Sequence, residues 1–230
     1  MKVFAISDLH LPGGADKPMN VFGEKWEGHF ERICEDWADR VGKDDVVLLP
    51  GDLSWAMRLE DAREDIGKIA ALPGKKVLLR GNHDYWWTSI GRVRDALEPG
   101  MYALQNDALK LDSLILCGTR GWKDMEEGWD EGDEKIYLRE LKRLELSIQN
   151  ADRLGSGLKV CLMHYPPLSL AQTDTPFTQL IEASGISHVV YGHLHGPALK
   201  GAFRGEHNGV RYHQVSCDGT DFKLESIAEI

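Results

Sequence analysis

The chain has 230 residues, a formal net charge of −10, 42% hydrophobic and 28% charged residues, which is an ordinary globular mix. The acidic balance argues against a broad nucleic-acid or membrane-binding face, yet it leaves room for a phosphate substrate held at a local positive site. A chain of this length buries enough surface to need no disulfide staples, and no window holds the roughly 18 apolar residues of a membrane span.

The start, MKVFAISDLH, has too short an apolar run for a signal peptide. The four cysteines (Cys34, Cys117, Cys161, Cys217) have no paired spacing, and they read as small hydrophobes in a reducing cytoplasm. There are no internal repeats and no linker, so one domain over 1–230 is expected.

Val3 to Ile6 is a nearly continuous apolar run, as in a strand covered on both faces, and it ends in Asp8-Leu9-His10. Phe30, Ile33, Cys34, Trp37 and Val41 follow helical spacing. Val46 to Leu49 is the second strand and ends in Pro50-Gly51-Asp52. Ala62, Ile66, Ile69 and Ala70 mark a helix stopped by Pro73-Gly74. Val77 to Leu79 is a third strand, followed by Arg80-Gly81-Asn82-His83-Asp84 and then Tyr85, Trp86 and Trp87. Ile90, Val93 and Leu97 stripe another helix. Between Tyr102 and Gly118 short strands joined by polar turns are expected. The acidic segment from Lys123 to Lys135 reads as an exposed loop before a long helix striped by Tyr137, Leu141, Leu144, Ile148 and Ala151. Val160 to Met163 ends in His164. Thr175 as N-cap, Pro176 at the first helical position and Gly185 past the end punctuate a short helix. Val189 to Tyr191 ends in Gly192-His193-Leu194-His195. Strand-like stretches return in GVRYHQVSC and FKLESIAEI.

Five apolar strands thus end in residues able to bind metal. In α/β sheets the ligand crevice lies at the carboxyl ends of the strands, so five clusters there converge. Asp8 and Asp52 offer hard oxygen, Asn82 a neutral carbonyl oxygen, and His10, His164, His193 and His195 offer imidazole. Seven donors are too many for one tetrahedral ion and suit two ions sharing a carboxylate. The Asp8-x-His10 and His193-x-His195 spacings put each pair on one side if strand geometry continues. Two divalent ions against two carboxylates leave the site near +2, which suits an anionic phosphate. The mixed donors favour Mn²⁺, Fe or Zn²⁺ over Mg²⁺.

The ordered set Asp-x-His, Gly-Asp, Gly-Asn-His-Asp, His, Gly-His-x-His resembles the calcineurin-like metallophosphoesterase superfamily, and GDLSWAM with GNHDYWW resembles a bacterial branch of phosphohydrolases. The resemblance implies an α/β (α+β) four-layer sandwich: two mixed sheets face to face, helices on both outer faces, and a dinuclear metal site at the strand ends. It implies that Asp8, His10 and His195 hold one ion, that Asn82, His164 and His193 hold the other, and that Asp52 bridges them. It further implies a phosphoric ester hydrolase of monoesters or diesters in which a metal-bound hydroxide attacks phosphorus. His83 then acts as general acid, oriented by Asp84, whose charge favours the protonated imidazole. Arg80 and Arg120 are candidates for clamping phosphate oxygens, since Arg suits bidentate phosphate contacts. His29, His188, His207 and His213 lack motif context, and the aromatics after Asp84 read as packing.

Two other readings have consequences in the sequence. A scaffold on the same fold that binds a protein partner would be expected to lose ligands or the acid, and none is missing. A nuclease would favour a basic stripe, which is absent. The expected partner is a small phosphate ester.

Overall fold

The computed structural model describes residues 1–14, 17, 19–125 and 128–230. The first sheet holds β1 (Lys2–Ala5), β2 (Val46–Pro50), β3 (Lys75–Leu79), β4 (Met101–Leu104) and β11 (Glu225–Glu229). Its order is β11-β1-β2-β3-β4, parallel throughout except for β11, which runs antiparallel along β1 and pairs Lys2 with Glu229. The second sheet holds β5 (Ala108–Leu111), β6 (Leu114–Thr119), β7 (Leu158–Met163), β8 (His188–Tyr191), β9 (Gly205–His207) and β10 (Val210–Gln214). Its order is β5-β6-β7-β8-β10-β9, with parallel strands from β6 to β10 and an antiparallel strand at each edge.

The continuous apolar strands make sense once the layers are in place. In β2, Val46 and Leu48 point into the space between the sheets, where they meet Leu116, Val160, Leu162 and Val190. The alternate residues Val47 and Leu49 face outward, toward α1 (His29–Arg40), α2 (Leu59–Ala70) and α3 (Ile90–Ala96). On the opposite side α4 (Asp133–Asp152) and α5 (Pro176–Glu182) lay Tyr137, Leu144, Ile148, Phe177 and Ile181 over Cys161, Met163 and Val189. A strand apolar on one face only could not sit at the centre of such a four-layer stack. In α5, Thr175 Oγ1 accepts from the Phe177 and Thr178 amides, and the Thr178 hydroxyl accepts in return from the Thr175 amide. Among the described residues no helix is long and apolar enough to cross a membrane.

The acidic segment differs from its expectation. Its last three residues, Asp133 to Lys135, open α4, and the loop before them is tied down. Trp122 Nε1 donates to Asp133 Oδ1 at 2.8 Å, Lys123 pairs with Asp133 at 2.9 Å, and the Trp129 ring packs tilted against that of Tyr137, with centroids 5.3 Å apart. The acidic composition hid a set of indole and ammonium donors converging on one carboxylate. Residues 126–127 of this segment lie outside the described residues.

Candidate metal centre

None of the three parallel strands of the first sheet that carry ligand clusters continues as a strand through its ligands. β1 ends at Ala5, and Asp8 and His10 take φ of 60° and 47°. Asp52 and His193 do the same, at 54° and 70°. A positive φ is uncommon for a residue with a Cβ, so four of the seven donors sit in strained turns that the surroundings must hold. The two-residue spacings therefore meet through left-handed turns, and not through strand alternation as the sequence suggests. The turns after β1 and β2 are zipped together by backbone bonds: Asp8 N to Gly51 O at 2.9 Å, and His10 N to Asp52 O at 3.0 Å. The ligand turns pack so closely that a Cβ at Gly81 would collide with the Asp52 carboxylate, and one at Gly192 with the Asp8 carboxylate.

These turns bring all seven sequence-derived donors into one connected set. Asp8, His10 and His195 place donor atoms within 4.8 Å of one another, as do Asp8, Asp52 and His164. His10 Nε2 and His195 Nε2 face each other at 3.3 Å. On the other side, Asn82 Oδ1 lies 2.6 Å from His164 Nε2 and 2.9 Å from His193 Nδ1. Asp52 stands between the groups, with Oδ2 3.5 Å from His164 Nε2. Asp8, Asp52 and His164 are fully buried, and His10 nearly so.

The charges are poorly balanced without a cation. Burial raises the Asp52 carboxyl well above its usual range, and the nearby Asp8 charge pushes it further. Burial works to raise Asp8 as well, but His195, hydrogen-bonded to it, and the charges of His164 and His10 hold it below the usual range. Burial drives His10 and His193 down to about 3, so both are neutral bases near pH 7. The Nδ1 of His10 is buried with no hydrogen-bond partner among the described residues. Facing imidazole nitrogens, competing buried carboxylates and a neutral amide oxygen are a donor set that fits divalent cations.

His83 lies on the rim of this set. Its ring centroid is 5.9 Å from that of His10 and 4.7 Å from that of Trp55. Among the described residues neither ring nitrogen has a hydrogen-bond partner, so both are open to a ligand. The expectation for Asp84 needs correction. Its buried carboxylate accepts from the amides of Asp52 and Gly81 through Oδ2 and of Leu53 through Oδ1, and from Trp86 Nε1 at 2.9 Å. No hydrogen bond joins it to the His83 ring. Asp84 pins together the turns that carry Asp52 and Asn82, because amides from both turns fill its oxygens. Nor is His83 held protonated: burial and the His164 charge lower it from its ordinary value, outweighing the opposing Asp8 and Asp84 charges.

Several positioning residues escaped sequence reasoning. Asp218, after β10, accepts from His195 through Oδ1 and from the Gly196 amide and Lys25 through Oδ2. The hydroxyls of Ser7 and Ser216 both donate to Asp8 Oδ2. His29, which has no motif context, places Nε2 2.8 Å from the Leu9 carbonyl and holds the turn between Asp8 and His10. Trp55 stacks on His10 with centroids 4.7 Å apart. No spacing signal marks these partners, since each arrives from a separate loop. His207 pairs with Asp174 at 2.6 Å on the surface, and His188 lies 3.1 Å from His213. Trp86 and Trp87 are core residues, while Tyr85 is half exposed.

Two clefts flank the donors. One, about 300 Å³, is walled by Met19, Phe22, Trp26, Trp55 and Pro197 and reaches His83 and His195. The other, about 400 Å³, takes in Arg80, two residues before Asn82 in the chain, and Arg120, at the end of β6. The Arg120 carbonyl accepts from the His164 amide at 3.1 Å.

The model of the calcineurin-like phosphoesterase family matches residues 1–197. Gene 66 protein of Mycobacterium phage D29 is 26% identical over 201 residues, covering 86% of this chain and 80% of that protein. Two solved structures share the fold at 16% identity. TT1561 of Thermus thermophilus superposes with a TM-score of 0.55, covering 97% of this chain and 96% of that one. Phosphopantetheinyl hydrolase (PptH) of Mycobacterium tuberculosis does so with 0.53, covering 100% and 96%. With its family model spanning the strand-end motifs from Asp8 to His195, the chain belongs to the calcineurin-like phosphoesterase family.

Proposed function

We propose that the protein is a metal-dependent phosphoesterase with a dinuclear centre. The observation that carries this reading is the convergence of seven donors, two of them carboxylates, beside an imidazole whose nitrogens are open. Asp8, His10 and His195 would hold one ion, Asn82, His164 and His193 would hold the second, and Asp52 would be shared between them. Divalent ions held there, with Mn²⁺ the first candidate and Fe or Zn²⁺ the alternatives, supply positive charge that acidifies a water and neutralises phosphoryl oxygens. A water oxygen bonds to phosphorus, its proton passing to solvent, and the ester P–O bond breaks. His83 gives a proton to the departing alkoxide. His83 therefore takes up a proton when the phosphate dianion docks, since an adjacent negative charge raises an imidazole. The aromatic cleft beside His83 receives the organic part of the ester, shielding it from water.

The test is a hydrolysis screen on chelated protein resupplied with single metals. It covers alkyl and aryl monoesters, linear and cyclic diesters, nucleotides and phosphopantetheinylated compounds. Metal-dependent release of phosphate or alcohol from one class is expected. No turnover with any metal would sink the reading, and turnover undiminished after chelation would sink its metal dependence.

A further inference from the structure

Four arginines line the 400 Å³ cleft: Arg80 at the end of β3, two residues before Asn82; Arg120 at the end of β6, whose carbonyl accepts from the His164 amide; and Arg139 and Arg143 one turn apart on α4. One acid, Glu140, faces them. Its Oε2 accepts from Thr119 Oγ1 at 2.6 Å, and its Oε1 from Arg143 at 2.6 Å. The same Oε1 lies 3.8 Å from Arg139 and 3.9 Å from Arg120, too far for hydrogen bonds. A single carboxylate thus serves three guanidiniums. Arg80 has no acid at all: it makes no ion pair or hydrogen bond among the described residues, and its Nε is buried without a partner. Four cations against one anion leave the cleft near +3, in a chain whose net charge is −10.

A structural staple between α4 and β6 would need only Glu140, Thr119 and Arg143. It explains neither Arg80 nor the half-exposed Arg139 side chain, which points its charge where no acid meets it at bonding distance. Guanidinium forks left open in a cleft are what a phosphate group satisfies, two N–H donors at a time.

We propose that this cleft is a second anion subsite, and that the substrate is a small molecule carrying a second phosphate group besides the ester that is cleaved. The proposal rests on the phosphoesterase reading for the cleaved ester, whereas the subsite itself can be examined without turnover. The donors, Arg80, Arg120, Arg139 and Arg143, hold the spectator phosphate, and Glu140 fixes the spacing of Arg120 and Arg143 around it.

Inorganic phosphate titrated into metal-free protein by calorimetry is the first probe. Saturable binding is expected in the native chain, weakened roughly tenfold in Arg139→Gln and in Arg80→Lys, which keeps the charge and loses the fork. Arg139 is half exposed, so its replacement leaves the fold intact. The second probe is the ratio of kcat/KM for a sugar bisphosphate to that for the corresponding monophosphate on manganese-loaded protein. A ratio above one, falling roughly tenfold in Arg139→Gln, supports the subsite. Phosphate affinity unchanged in both variants, or a ratio that no arginine replacement moves, overturns it. If no ester of any kind is hydrolysed, the phosphoesterase reading fails, and the phosphate titration alone still decides whether the cleft binds anions.

Discussion

The Nδ1 of His195 lies 2.7 Å from Oδ1 of Asp218. Asp218 in turn is held by the Gly196 amide and Lys25, so it cannot swing away. A carboxylate fixed behind a ligand imidazole sets its tautomer and leaves Nε2 for the ion. Asp218→Asn should therefore weaken binding of the first ion by roughly 10–100-fold. Competition against a fluorescent chelator measures this; unchanged affinity would remove Asp218 from the site's support.

Asp52→Asn should cost more metal affinity and more turnover than any other single ligand change. It removes a negative charge that both ions share, at a position already short of compensation. A loss beyond the roughly hundredfold seen for outer-shell changes is expected. Metal analysis after gel filtration checks it, and a variant that keeps two ions and the native rate would show that Asp52 does not bridge.

His83→Gln should separate esters by their leaving groups. Nitrophenolate departs without a proton and simple alkoxides do not, so alkyl esters should slow by about 10²–10⁴-fold while nitrophenyl esters change little. Metal content should stay native. Equal losses on both esters would mean that His83 acts by shaping the turn beside Asn82.

Three buried tyrosines set an alkaline limit. Burial pushes Tyr137 up to about 12, and raises Tyr191 and Tyr212 as well. A phenol whose folded pKa exceeds its unfolded value near 10 stabilises the fold fully below pH 10. That contribution is lost as pH rises from about 10 through about 12. Denaturant midpoints should fall across this window, and tyrosinate absorbance should show a late fraction that appears only with unfolding. All six tyrosines titrating together near pH 10 in folded protein would contradict this.

Trp129→Ala should destabilise the chain by about 1–3 kcal/mol, because the indole is half buried against Tyr137 and bonds the Lys123 carbonyl at 3.2 Å. An unchanged denaturation midpoint would show that the loop before α4 contributes nothing to the fold.

Residue order at the strand ends carried most of the site. Asp8, Asp52, Asn82, His164 and His193 each follow an apolar run that could only be a doubly covered strand, so their convergence was readable from topology. The left-handed turns were not, because Asp and His in that conformation leave no signature in composition. Asp84 was misplaced for a related reason: the amides of Asp52 and Leu53 come from a turn about thirty residues earlier, and only packing shows that they outcompete the adjacent His83. That Arg80 shares a cleft with residues of α4 is equally invisible along the chain. Arg139 and Arg143 look like ordinary solvated positions of an amphipathic helix until β3 and β6 are laid beside them.

The antiparallel pairing of β11 with β1 has a bearing on how the protein is made. β1 leads into Asp8 and His10 and is synthesised long before β11, yet its outer edge is covered only by residues 225–229. A ribosome would release the first ligand-bearing strand well ahead of that cover, leaving a Val-Phe-Ala edge open to mispairing. Assembly of the metal site is thereby tied to the emergence of β11. Nascent chains stalled before residue 225 should be captured by chaperones and retain metal poorly, whereas chains that include β11 should not.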